Sequence, residues 1–193
     1  RDAASTIFAA QLDALAQDLA AQQPAALCAT ATPTRAALDT ASVESDRIFG
    51  EMVAVQEELD WFCLHAYGLT REALTAPSEG ELPPPLALGE RAFEIVLARK
   101  VAAGEAETAW FTRHCSTPIT ELPAHWPDRY RDLVQRRIGL IESDRDVALV
   151  ERPEHKRRWA RDPWDKVEAE ALRGWLLDRL EDRRLWFEGS GDA

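Results

Sequence analysis

The chain has 193 residues, of which 46% are hydrophobic and 30% charged, with a formal net charge of −11. A globule of that size buries a core without metal or disulfide staples, and the composition excludes an intrinsically disordered protein. The longest apolar runs fall far short of the ~18 residues needed to span a bilayer, so a cytoplasmic protein with no membrane partner is expected.

The charge is unevenly spread. Residues 1–125 hold 8 Lys/Arg against 18 Asp/Glu, residues 126–161 hold 10 against 7, and residues 162–193 hold 5 against 9. Only the middle segment has the sign to attract a polyanion. Cys28, Cys63 and Cys115 are too few and too widely spaced for a secreted disulfide framework, so reduced thiols are expected. The chain opens at Arg1 without an initiator methionine and ends in "EGSGDA", which reads as a piece of something longer that runs to or near a natural C-terminus.

Phe8, Leu12, Leu15 and Leu19 recur at helical steps and predict a helix over about 3–22. A longer helix is predicted over about 42–67 on Ile48, Met52, Val55, Leu59 and Phe62, and the two are expected to pair as a long antiparallel hairpin. Between them "QQPAALCATATPT" reads as a loop or a frayed turn, and Gly68 stands where the second helix would be capped. Residues 75–89, "TAPSEGELPPPLALG", carry four prolines and two glycines, which mark a surface connector.

A third helix is predicted on Phe93, Val96, Leu97 and Val101, and a short fourth in "EAETAWFTRHC". Pro118, Pro123 and Pro127 then break the chain before a fifth, over about 128–142, built on Tyr130, Leu133, Val134, Ile138 and Ile141. The run "DVALVERP" is consistent with a short strand or with more helix. A last helix, over about 164–187, carries Leu172, Trp175, Leu176 and Leu180. The expected fold is mostly α, a multi-helix bundle. It consists of a hairpin (1–74), a Pro-rich connector (75–89), a helical domain (90–188) containing the basic segment 126–161, and a tail (189–193).

Catalytic signatures are missing from the sequence. It has no Gly-rich loop of dinucleotide or P-loop type. An amino-methyltransferase acting on a flipped base needs an Asn or Asp, two prolines and an aromatic. "LPPPL" at Leu82–Leu86 lacks the acid or amide and the aromatic, while "DPW" at Asp162–Trp164 lacks the second proline. Zinc would need Cys63 and His65 with His114 and Cys115. A one-residue gap turns two helical side chains about 200° apart, so buried cysteines behaving as small hydrophobes are expected and no metal site. His125 and His155 are expected at surface or helix-end positions. Asp128, Glu154 and Lys156 resemble a metal-dependent nuclease trio, but alternation of the last two suits a strand, and the run is helix-prone. Glu57, Glu58 and Asp60 lie opposite the apolar stripe and read as a solvated face.

The segment "ERPEHKRRW" at 151–159 has two readings. In one, Pro153 opens a short helix, Trp159 anchors in the core, and the cations stay wet or stack on Trp164. In the other, Lys156, Arg157 and Arg158 join Arg136, Arg137, Arg145, Arg152 and Arg161 in a phosphate-binding surface.

The stretches "RIFGEMVAVQEELDW", "LGERAFEIVLARKVAAGEAETAWF", "STPITELPAHWP", "RRIGLIESDRDVALVERPEHKRRW" and "WLLDRLE", within about Arg47–Glu181, resemble the C-terminal part of the PglX-type adenine-specific DNA methyltransferases of the phage growth limitation and BREX defence systems. The resemblance implies a parent enzyme that moves a methyl group from S-adenosylmethionine to the N6 of adenine, and other phage-defence proteins as further partners. The family's cofactor loop and Asn-Pro-Pro-aromatic motif lie N-terminal to the matching region, so no catalytic or cofactor residue is carried over and the segment alone is expected to be inactive. With DNA as the parent's substrate, the basic segment is expected to contact phosphates and so to position the duplex. A protein-interaction module without DNA contact is the alternative, and the metal-dependent nuclease a distant one.

Overall fold

The computed structural model describes residues 3–76, 83–182 and 186. The described residues form eight α-helices and one 3-10 turn, with no strand. In chain order the helices are α1 (Ala3–Ala21), α2 (Pro24–Thr30), α3 (Arg35–Ala66), α4 (Ala92–Ala102), α5 (Trp110–Arg113), α6 (Asp128–Ser143), α7 (Arg145–Val150) and α8 (Trp164–Glu181). The mostly helical bundle read from the sequence is the fold found.

Several boundaries follow from local chemistry. Gly68, at φ 75°, ends α3 in a Schellman arrangement, with the Leu69 N–H donating to the Leu64 carbonyl at 2.9 Å. Gly104 closes α4 the same way, through Glu105 N–H and the Lys100 carbonyl at 2.8 Å. The "DVALV" run resolves as helix α7 because the Asp144 carboxylate accepts from the N–H groups of Asp146 (2.9 Å) and Val147 (3.1 Å), an N-cap that a strand would not use. Part of "QQPAALCATATPT" is also helical, as α2, with Pro24 at its first turn. Of the connector 75–89, residues 77–82 lie outside the described residues. Its later part is anchored rather than loose: Leu86 is buried and donates its N–H to the Gly50 carbonyl at 3.0 Å. The last helix, predicted to run to about 187, instead ends at Glu181, where Asp182 turns extended (φ −67°, ψ 110°).

Two compact units emerge: Arg1–Ala16 with Ile48–Ala160, and Gln17–Arg47 with Arg161–Ala193. The division cuts α1 and α3 and falls after Ala160. In the first unit the core gathers Ile48, Met52, Val53 and Trp61 of α3, Phe93, Ile95 and Val96 of α4, and Leu133, Val134, Ile138 and Ile141 of α6, with Val147 and Trp159. Phe8 of α1 meets Phe62 of α3 at 5.9 Å between ring centroids. In the second unit Leu38 and Ala41 of α3 and Pro24 are buried, whereas α8 buries no residue fully.

The stripe expected on α3 holds at Ile48 and Met52 and then turns. Val55, Leu59 and Phe62 are half-buried, and the face that goes fully inside continues through Glu57, Glu58, Trp61 and Leu64. Glu57 and Glu58 are thus not on a solvated face.

Candidate functional site

The most unusual feature of the first unit is a set of buried charges. Arg137 of α6 has no exposed side-chain surface. Its Nη2 donates to both oxygens of Glu58 at 2.8 Å, and it also donates to the Leu74 carbonyl. Glu58 in turn accepts from the Ala76 N–H at 2.6 Å, so one ion pair fastens the start of the connector to α3 and α6. Burial works against the charge of Arg137, but Glu58 foremost outweighs it and holds the guanidinium firmly protonated.

A second pair organises the start of α4. Glu94 accepts from the Arg91 guanidinium at 3.0 and 2.9 Å, from the Gly89 N–H at 2.9 Å and from the Trp110 indole at 2.9 Å. An anion at this helix start also complements the helix dipole. Glu57 accepts from the Trp61 indole at 3.1 Å and from the Ala92 N–H at 3.3 Å. Burial alone would push the Glu57 carboxyl up; Lys156, Arg137 and Arg91 outweigh it and hold it below the ordinary range.

Lys156 completes the network. Its ammonium donates to Glu151 at 2.5 Å and to Asp60 at 3.0 Å, and its side chain is 4% exposed. Three carboxylates, Glu151, Glu57 and Asp60, surround this one ammonium. Although burial opposes it, the Lys156 charge is therefore held more firmly than in water. Glu151 has the least other compensation: burial, then Glu57 and Asp60, push its carboxyl up to about 7 against the pull of Lys156.

These facts correct the reading of two residues. Arg137 and Lys156 are inside, each spent on acids, and so do not present their charges on a surface. The acids of Lys156 are Glu151 and Asp60, whereas Glu154 is exposed and Asp128 stands on α6 with a 93% exposed carboxylate, so the nuclease trio is not assembled. Among the described residues no group of three or more His, Cys, Asp or Glu gathers in a metal-holding arrangement. The cysteines are free, but none is fully buried, and Cys115 is exposed. His125 and His155 are exposed.

The other candidates divide. Arg136, Arg145, Arg152, Arg157 and Arg158 are exposed in the first unit, while Arg161 belongs to the second, where it pairs with Asp46. Arg136 approaches the exposed Glu72 at 3.5 Å. Arg152, Arg157 and Arg158 sit together on the 151–159 loop. That loop is not the helix expected: only Pro153–His155 forms a 3-10 turn. Beyond it the Arg157 carbonyl accepts from Arg91 at 3.0 Å instead of from a helical N–H. Trp159 anchors in the core as expected, its ring edge-on to Phe49 at 5.6 Å. The guanidinium over Trp159 is that of Arg157, at 4.5 Å, while Trp164 donates its indole N–H to Glu168. Three inward attachments, at Lys156, the Arg157 carbonyl and Trp159, thus pin the loop and leave the Arg152, Arg157 and Arg158 side chains outside.

Sequence reasoning missed Arg113, an exposed cation at the end of α5 that lies outside the 126–161 segment. Neither Arg113 nor Arg158 has a carboxylate partner among the described residues. Among those residues, too, no helix is long and apolar enough to cross a membrane.

The chain is 54% identical, over an alignment of 183 residues that covers 93% of the chain, to a protein of Streptomyces coelicolor named "Adenine-specific methyltransferase PglX". It spans about 15% of that relative's length. No solved structure matches the chain. Residues 52–193 match the family described as a domain of unknown function, DUF7008, and the chain belongs to that family.

Proposed function

We propose that this chain is a non-catalytic helical region of an S-adenosylmethionine-dependent, adenine-specific (N6) DNA methyltransferase of a phage-defence system, and that it holds duplex DNA in position. The observation that carries the reading is the pinned 151–159 loop with its outward Arg152, Arg157 and Arg158, within a chain so similar to a protein named as an adenine-specific methyltransferase. Phosphate contacts from such a loop fix the register of a duplex without reading its sequence. Fixing the backbone beforehand lowers the ordering cost of binding.

S-adenosylmethionine supplies the methyl group in such an enzyme, and the described residues here do not fit it. Gly68 and Gly104 each close a helix rather than open one, and at Gly89 a side-chain carbon would stand 1.9 Å from the Thr117 carbonyl oxygen, so the backbone there is already filled. In this reading the cofactor and the methyl transfer belong to the remainder of a longer protein, which operates in the cytoplasm.

The test is duplex binding measured across a salt series. Each neutralised phosphate contributes about 0.9 to the logarithmic salt slope, so removing Arg157 and Arg158 together lowers it by about 2. Duplex binding by the wild-type chain that does not weaken with salt overturns the reading. A protein-interaction module is the second reading, favoured by the exposed Leu176, Leu177 and Leu180 on α8. Loss of another defence-system protein on changing those leucines, with no DNA binding by the wild type, would establish it.

A further inference from the structure

Beside the pinned loop the first unit holds a pocket of about 200 Å³, lined from the end of α3, from Leu69 after its cap, from the end of α7 and from the loop itself. Leu64, Leu69 and Val150 give it apolar walls, while Asp60, Glu151 and Lys156 are its charged groups. Their charges do not balance. Lys156 serves both acids, through Glu151 Oε1 at 2.5 Å and Asp60 Oδ2 at 3.0 Å, and Asp60 Oδ1 accepts from the Gln56 amide at 2.9 Å. One acceptor is left over. The Glu151 side chain has no exposed surface, yet its Oε2 has no hydrogen-bond partner. Burial pushes this carboxyl up to about 7 against the pull of Lys156, and Glu57 and Asp60 add to the rise. Near neutral pH a proton therefore stands in, about half the time, for the second cation that two acids sharing one ammonium lack.

We propose that this pocket binds a short primary alkylammonium group, with its stem against Leu64, Leu69 and Val150 and its head at the Glu151–Asp60 pair. The inference does not depend on the DNA-positioning reading. Such a head brings both missing parts, a positive charge and N–H donors for the acceptor that Lys156 does not serve. A quaternary ammonium has the charge but no N–H, and an anion would add to the surplus. The size also fits: a cavity of about 150 Å³ holds benzene, so about four or five carbons and a nitrogen find room here. A free amine and a lysine side chain both carry this chemistry.

The test is calorimetric titration of the full chain with n-butylammonium at about pH 6 and pH 8, where an alkylamine is charged throughout. A head that needs ionised Glu151 binds about tenfold more tightly at the higher pH and releases a proton on binding at the lower. The isosteric n-butanol and tetramethylammonium are each expected to bind at least about tenfold more weakly. Glu151→Gln removes the pH dependence. Val150→Trp keeps every charge but fills the pocket from a 38% exposed position, and abolishes binding; amide spectra verify that both variants are folded. The other titratable groups around Glu151 are Glu57, Asp60 and Lys156, with Cys63 and His155 in the lining. His155→Gln is expected to leave the pH dependence in place, and its loss there overturns Glu151 as the acceptor. No saturable binding of n-butylammonium, or equal binding of n-butanol, overturns the site. A capped lysine that binds as tightly as n-butylammonium supports a protein side chain as the source of the head, and one that does not bind supports a free amine.

Discussion

Among the described residues, one unit carries ion pairs in its core and the other does not. In the Ile48–Ala160 unit the pairs Arg137–Glu58, Arg91–Glu94 and Lys156–Glu151 are inside the core, while in the Arg161–Ala193 unit the pairs Arg35–Glu168, Arg161–Asp46 and Lys166–Asp162 involve at least one well-exposed partner. Apolar side chains show the reverse. The first unit buries most of its large ones, whereas α8 leaves Leu176, Leu177 and Leu180 about half exposed. An acid is therefore no sign of solvent in one unit, and a leucine is no sign of the core in the other. Residue type sets the cost of burial, and the partner decides whether that cost is met.

The contrast is broken most forcefully at Arg137. Arg137→Met strands Glu58 in the core and is expected to lower unfolding stability by about 3–5 kcal/mol in urea denaturation. The same change at the exposed Arg35 is expected to leave the denaturation midpoint within error. Next is Gly89, which at φ +105° faces the Thr117 carbonyl. Gly89→Ala must both move that backbone and hold a strained dihedral, costing on the order of 3 kcal/mol by the same measurement.

A pH series sharpens the comparison further. Glu151 carries a carboxyl raised to about 7 from an ordinary 4.5, so the folded chain binds a proton that the unfolded chain has released between those values. The stability this contributes is complete below about pH 4.5 and is lost as pH rises through 7, on the order of 3 kcal/mol in all. Glu151→Gln is expected to flatten that part of the curve. A small effect is expected on α8 as well: Leu176→Ser or Leu180→Ser should shift stability by no more than about 0.5 kcal/mol, and a loss above 1 kcal/mol would show that these leucines pack in the core.

Much of the helical order was legible because apolar spacing and breakers are local signals. The steps at Phe93, Val96 and Leu97, the capping Gly68, and the prolines before Asp128 carry their meaning within a few residues. The charged core was not legible. Glu58 finds Arg137 79 positions away, and Asp60 finds Lys156 96 positions away, so nothing near either acid reveals that it is neutralised. The same separation misplaced two cations of the basic segment, while Trp159 was readable as an anchor because a large aromatic among charges has few other uses. Asp144 is a local sign of helix in that region, an N-cap residue ahead of a run whose periodicity suits strand and helix alike.

Trp61 and Trp110, two of the chain's seven tryptophans, donate indole hydrogen bonds to Glu57 and Glu94. Each chromophore is wired to an interior carboxylate, and an excited indole responds to the electric field across its ring. Ultraviolet emission thus provides an unlabelled optical gauge of whether those inner charges are still in register.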